Sequence, residues 1–444
     1  YPDSVRDTST CPPDGGYGWV VVFGAFMVQF WVAGLFKSYG VLYVEIMETF
    51  PDSSESVASW IPAALSTLCL ALAPLSSALC EKYSCRLVVF VGGLFCGTGL
   101  ALSYFSTGLI HLLFSFGVLT GIGGGLSTTP GIVIVSQYFD KHRALANGIC
   151  VSGTAAGSFV FPMLIEQLVG MYGLHGTVLL LGKFLFTYIR DIHTYWFLVP
   201  GLPRAVARLR LRPTRSSSIL HSVEDLSTDS TCVYKASRRN LSRYLDVSLL
   251  KSWRFGLLCA SVALMSCGSP YALYYLPAYT VSAGHSKSAA GRLVAISAVL
   301  DLCGRLGLGW LCDLQLFCRR KAYIVSILVA GIAVLTLPSL TSWWALAVAS
   351  GAYGLCLGCW FLLVPVLLAD TFGTARIASS YGLVRMFQSL AALSVPPTAG
   401  LLRDVTGGYS WCFYGMGSCM VLGSIPVVAF HLCTKNEDTE SSQC

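Results

Sequence analysis

Apolar residues along this chain come in runs about as long as a bilayer is thick, parted by short polar connections. A helix crossing the hydrocarbon needs about 20 mostly apolar residues, because its backbone polar groups can find partners only within the helix. The stretch 87–110 carries no charge and meets that requirement alone. Six such runs, 17–43, 57–79, 87–105, 110–138, 143–171 and 176–202, are followed by a polar stretch and then by six more. The second six are 255–283, 289–311, 323–340, 344–369, 378–402 and 409–432. The pattern predicts an all-α membrane protein of twelve transmembrane helices in two halves, 17–202 and 255–432, joined by a linker, 203–254. Residues 1–16 and 433–444 are then terminal segments.

Composition agrees with the pattern: of 444 residues, 55% are hydrophobic and 11% charged, against roughly 25% charged in soluble domains. The formal charge of +7 would suggest a nucleic-acid partner only if it were clustered on a folded surface. Instead Lys82, Arg86, Lys141, Arg143, Arg319, Arg320, Lys321 and Arg376 fall on alternate connections, whereas the first loop of the other side has Asp52 and Glu55. Lys287, Arg292 and Arg403 alone mark that other side, so the positive-inside rule predicts both termini in the cytoplasm. The linker, rich in Arg and Ser, reads as a solvated cytoplasmic segment, with anionic lipid head groups as a second reading. The first sixteen residues lack the apolar region of a removable signal peptide, so the first helix is expected to be its own targeting signal. Most of the 18 Cys lie in apolar runs and read as small hydrophobes. No metal-ligand spacing, cofactor motif or nucleophile with its base is present. An enzyme and a bound cofactor are therefore not expected.

Small residues predict close helix contacts: Gly117, Gly121 and Gly125 in the fourth helix, Gly354 and Gly358 in the tenth. Charges inside the spans are costly and need a reason. Asp301 and Arg305 are four residues apart, which sets them on one face of the eighth helix near the midplane. A guanidinium offers a forked pair of donors to a carboxylate, and the Asp can exchange a proton or release the Arg. A permanent pair that fixes helix packing is the alternative. Lys37 lies in the first helix. Arg385 in the eleventh can snorkel toward an interface, and Glu166 in the fifth reads as a hydrated helix-end residue.

Two motifs give these charges a context. Before the first helix stands Pro12-Pro-Asp-Gly-Gly-Tyr-Gly-Trp19, and between the fourth and fifth stands Tyr138-Phe-Asp-Lys-His-Arg-Ala-Leu-Ala-Asn-Gly148, continuing to Ser152 and Gly153. With the two halves of six helices and Pro396-Pro397 ahead of Gly400 and Asp404, the chain resembles the monocarboxylate transporters, a branch of the major facilitator superfamily. The resemblance implies a multi-pass plasma-membrane transporter that carries a small organic acid with a proton by alternating access. It assigns Lys37 to proton coupling and substrate binding, beside Asp301 for the proton and Arg305 for the carboxylate. It makes Asp14, Trp19, Lys141 and Arg143 motif or gating residues. Asp14 suits a helix entry, Trp19 an interface, and Lys141 and Arg143 suit ion pairs at the inner mouth or a plain topology signal. Some members work with a single-span immunoglobulin-like glycoprotein.

Departures from the family pattern limit what the resemblance implies. Tyr17 replaces a Trp, and Pro365 stands where short-chain acid carriers often have a Phe. His175-Gly176 replaces an Arg-Gly pair, and the charged run from Lys183 through Arg190, Asp191 and His193 reads as a misjoined segment between Gly182 and Pro203. Facilitative carriage of creatine, carnitine, an aromatic amino acid or thyroid hormone is the runner-up function. A non-transporting sensor or scaffold on the same fold is the third.

Overall fold

The computed structural model describes residues 16, 18–49, 55–198, 246–269, 271–314 and 318–441. Twelve helical units cross the molecule among these residues. The first, α1, is Gly18–Lys37 with a continuation, Tyr39–Thr49. Next come α2 (Glu55–Ala71 and Ala73–Lys82), α3 (Cys85–Ser103) and α4 (Leu109–Tyr138). The continuous Arg143–Leu198 is two helices, α5 and α6, because Gly173 at φ 68° turns the chain there. Only glycine takes that conformation without strain. The second set is α7 (Trp253–Ser266 and Tyr271–Ser282), α8 (Lys287–Asp313), α9 (Arg319–Thr336), α10 (Trp343–Phe372), α11 (Ile377–Thr406) and α12 (Ser410–Leu422 and Ser424–Ser441).

Ten segments are long and apolar enough to span a membrane by length and composition. One of the ten, Arg143–Thr187, contains α5 and runs into α6, and α11 is not among them, which reconciles ten segments with twelve helices. The chain also differs in places from the pattern of apolar runs. The run at 255–283 is broken between Ser266 and Tyr271. Within the stretch read as linker, Val247–Lys251 forms a 3-10 turn whose Ser248 N–H is capped by Asp246. The helix α12 runs on through residues read as tail, and α6 continues as helix across Lys183 to Leu198. Residues 1–15, including Asp14, and 199–245, most of the linker, lie outside the described residues.

Glycines set how closely the helices approach. In α4, Cβ atoms at Gly117, Gly121 and Gly125 would stand 3.3, 3.0 and 2.9 Å from the carbonyls of Ile61, Leu65 and Cys69 on α2. A Cβ at Gly354 or Gly358 on α10 would collide with the carbonyl of Ser297 or Asp301 on α8. These are the positions that the small-residue spacing singled out. Between the two sets, a Cβ at Gly148 of α5 would come 2.7 Å from the Arg305 carbonyl of α8. One at Gly382 of α11 would come 2.9 Å from Cα of Pro74 on α2. The sets therefore meet along α5 with α8 and along α2 with α11.

One consequence is specific. Gly358→Ala should destabilise the protein by about 1–3 kcal/mol, since the added methyl meets backbone that cannot swing away. Gly256→Ala, where nothing lies within 4 Å, should leave stability unchanged. Thermal unfolding of both variants in detergent checks the pair, and equal melting points would refute the packing argument.

Candidate functional site

Lys37 ends the first long segment of α1, directly before the break at Ser38. The preceding turn is a π-helix, Gln29–Ala33, a local widening that often accompanies functional positions. Ser38 donates from Oγ to the Gly34 carbonyl at 3.0 Å. In the second set of helices, Asp301 occupies the centre of the 27-residue α8. Its backbone presses on Gly358, so α10 can lie against α8 at that height.

Asp301 joins the two sets of helices. Lys37 Nζ donates to Asp301 Oδ2 at 3.1 Å. Arg305 donates from Nε to Oδ1 at 2.6 Å and from Nη2 to Oδ2 at 2.9 Å. Its Nη1 donates to the Val151 carbonyl of α5, a residue just past the Gly148 that admits α8. Phe361 of α10 lies beneath both cations, its ring centre 4.9 Å from the guanidinium and 5.2 Å from the ammonium. Asp301 and Arg305 are each 1% exposed, and the Lys37 side chain 10%. Water therefore does little to screen them.

The donor inventory is incomplete by design of the side chains. A guanidinium has five N–H groups and an ammonium three. Three of the first and one of the second are engaged, so donors remain on both. Two cations share one carboxylate, which leaves one positive charge in excess. A buried carboxylate-sized anion would find both charge and donors here.

The remaining motif residues sit at the end that carries Gly18 and the start of α5. The Trp19 and Phe139 rings lie 5.0 Å apart, and Lys141 is exposed in the α4–α5 connection. Arg143 donates to Asp140 at 2.5 Å and to the Phe139 carbonyl at 3.1 Å. Both bonds are local to that connection. A further link between the sets comes from Asp313, the last residue of α8, whose carboxylate accepts from Ala144 N at 3.1 Å and Leu145 N at 2.9 Å. It caps the first turn of α5, where free N–H groups and the helix dipole favour an anion. Neither Asp313 nor Phe361 was singled out from the sequence. A Gly-rich turn with an acidic residue closing α8 was the available sign of the first, and an aromatic one turn before Pro365 was that of the second.

The arrangement is that of a membrane carrier of the major facilitator type. Residues 18–317 and 314–443 match the family model described as Major Facilitator Superfamily. The proton:xylose symporter XylE, solved with 6-bromo-6-deoxy-D-glucose, superimposes with a TM-score of 0.70 at 14% identity, covering 93% of this chain and 96% of that one. Monocarboxylate transporter 12 of Rattus norvegicus is 31% identical over 430 residues, 95% of this chain and 86% of the relative. Monocarboxylate transporter 11 of Mus musculus is 31% identical over 420 residues, 93% and 87% of the two chains. The chain belongs to the monocarboxylate transporter family.

The cap on α5 can be tested. Asp313→Ala should cost about 1–2 kcal/mol of stability, as loss of a helix cap does. It should also loosen the contact of α5 with α8, exposing Cys150, which is 0% exposed in the intact protein. Peptide mapping after treatment of reconstituted protein with a thiol reagent should find Cys150 labelled several-fold more than in wild type. Unchanged labelling would show that the cap does not hold this end shut.

Proposed function

We propose that the protein carries small organic acids, monocarboxylates or close relatives, across the plasma membrane together with a proton, with both chain termini in the cytoplasm. The observation that carries this reading is the buried Lys37–Asp301–Arg305 cluster. It lies at the meeting of the two sets of helices and has one positive charge and several donors to spare. The names of the relatives supply the substrate class. The physical case for the roles is charge arithmetic. An anion bound to the excess positive charge makes the loaded site neutral, so the loaded carrier can rearrange without dragging net charge through hydrocarbon. For the empty carrier to be neutral as well, one cation must give up its proton. Arg305 cannot, since a guanidinium keeps its proton in proteins. Lys37 is the group that can, and Asp301 is the acceptor that steadies the ammonium when the proton is on. One acid and one proton then enter and leave together. Arg305 supplies the planar fork that fits a carboxylate.

Two substitutions separate these roles. Lys37→Arg makes the charge permanent, so net uptake driven by a proton gradient should fall more than about tenfold while exchange of one acid for another persists. Arg305→Lys keeps charge but loses the fork, and should weaken binding by about tenfold or more with the surface amount of protein unchanged. Uptake and exchange of labelled lactate and pyruvate at two external pH values, corrected for surface abundance, provide the measurement. Wild-type behaviour in both variants would leave the cluster a structural ion pair. Uptake of another solute without pH response would favour facilitative carriage instead.

The orientation has its own check. A tag placed after Cys444 should be shielded in intact cells, and one inserted in the loop 51–54 should be reachable from outside. The reverse pattern would overturn the assignment of sides made from Lys and Arg placement.

A further inference from the structure

Tyr274 of α7 makes a bond beside the Lys37–Asp301–Arg305 cluster that the cluster itself does not account for. Its hydroxyl donates to the carbonyl of Phe36, the residue before Lys37, at 3.3 Å. The two residues lie 238 positions apart and belong to different sets of helices. Tyr279, on the same segment of α7, shows the ordinary use of such a hydroxyl: it donates at 3.1 Å to the Pro338 carbonyl, within its own set.

Both partners are seated, so the bond has a fixed place. In the break of α7 between Ser266 and Tyr271, the Gly268 carbonyl accepts from the Tyr353 hydroxyl of α10 at 3.3 Å and from Ala272 N at 2.9 Å. The Tyr271 and Tyr274 rings meet edge to face, 5.7 Å apart, so α10 and Tyr271 together set where Tyr274 stands. On the facing side the helical ladder of α1 loosens at Ser38, whose N–H is shared between the carbonyls of Gly34 and Leu35, 3.1 Å from each. The Phe36 ring fills a notch on α4, since a Cβ at Gly124 would collide with it, and Gly34 lies against Gly157 of α5. Phe36 is thus held by its ring on the first set and by its carbonyl on the second. Lys37 follows directly.

Among the described residues, the charged groups facing the Lys37 ammonium are Asp301 and Arg305 of α8, and α10 presents the Phe361 ring. Tyr39, beyond the break, turns instead to Phe116 of α4. A lysine carries its charge on a flexible four-carbon stem, so where the ammonium rests depends on where the backbone delivers it. Tyr274 registers that delivery point against the same set of helices that carries Asp301.

We infer that Tyr274 is a positioning residue for proton coupling: by holding the last turn of α1 before its break, it delivers the Lys37 ammonium to the Asp301 carboxylate. This rests on the reading that Lys37 carries the coupled proton, and it deepens that reading. The bond exists only while the two sets are closed on each other at this height, so the ammonium is held in that state and released as they part. Tyr274 acts through the Phe36 backbone and exchanges no proton itself.

Tyr274→Phe removes one oxygen and keeps the ring, so it tests the bond alone. Uptake of labelled lactate into liposomes holding the full chain, at equal protein load, is measured across a range of external pH. Without the bond the ammonium meets Asp301 less regularly, and a more acidic medium is needed to keep the proton on. The pH of half-maximal uptake should therefore fall by about half a unit or more, the size that one hydrogen bond sets. Uptake at the acid end of the range should stay within about twofold of wild type, because excess protons restore the loaded form. Tyr279→Phe, which loses a hydroxyl–carbonyl bond inside one set, should keep the wild-type pH of half-maximal uptake. A wild-type pH profile in Tyr274→Phe would overturn the assignment. So would the same shift in both variants, or a loss by one factor at every pH, since these mark general loosening or a purely structural role. A wild type whose lactate uptake ignores pH would instead remove Lys37 as the proton carrier, and this assignment with it.

Discussion

A charge in hydrocarbon must be matched within the protein, and Asp301 is the residue on which that matching turns. It is the one mid-depth carboxylate among the described residues, and it accepts from cations that reach it from both sets of helices. Its position is made by packing: Gly358 has no side chain to hold α10 off the Asp301 backbone, and Gly148 has none to hold α5 off Arg305. Had either glycine been larger, the helices would separate and the ion pairs would lengthen or admit water. The small-residue positions are thus the means by which the charges are held in register.

The same bonds that hold the site also join the two sets of helices. Lys37 and the Val151 carbonyl belong to the first six helices, Asp301 and Arg305 to the second. An acid that takes donors from Lys37 and Arg305 competes with those cross-links, and a ligand shifts a conformational equilibrium only through such differential contacts. At the end carrying the α5 N-terminus, Asp313 provides another link, to backbone N–H groups that have no intrahelical partner. On the proposed mechanism, binding of the acid loosens the centre, while the Asp313 cap holds the start of α5 against the end of α8. Phe361 beneath both cations limits water without competing for their donors.

What could be read from the sequence was what short-range periodicity encodes. Apolar run length gave the helices, glycine spacing marked the α2–α4 and α8–α10 contacts, and a four-residue interval placed Asp301 beside Arg305. The bond from Lys37 to Asp301 spans 264 positions, and no local pattern carries that information; the family resemblance alone pointed to Lys37. The break in α7, the α5 cap by Asp313 and the place of Phe361 are likewise tertiary facts. Arg143 shows the converse: its charge was legible as belonging to an end connection, but its bonds to Asp140 and Phe139 depend on how that connection folds.

The helix that composition values least is informative for that reason. Among the twelve, α11 is absent from the segments apolar enough to span by composition, since it carries Arg385, Gln388 and several hydroxyl residues. A helix facing lipid cannot accept such a sequence, because each unmatched polar group would cost several kcal/mol in hydrocarbon. A helix between others can accept it, and α11 packs against α2, α7 and α10. Low hydropathy in a helix that must nevertheless cross is therefore a sign of what the helix faces. In this chain Ser380, Gln388 and Ser389 of α11 are buried among its neighbours, whereas Ser394, Thr398 and Thr406 are exposed and return their hydroxyl donors to carbonyls of their own helix.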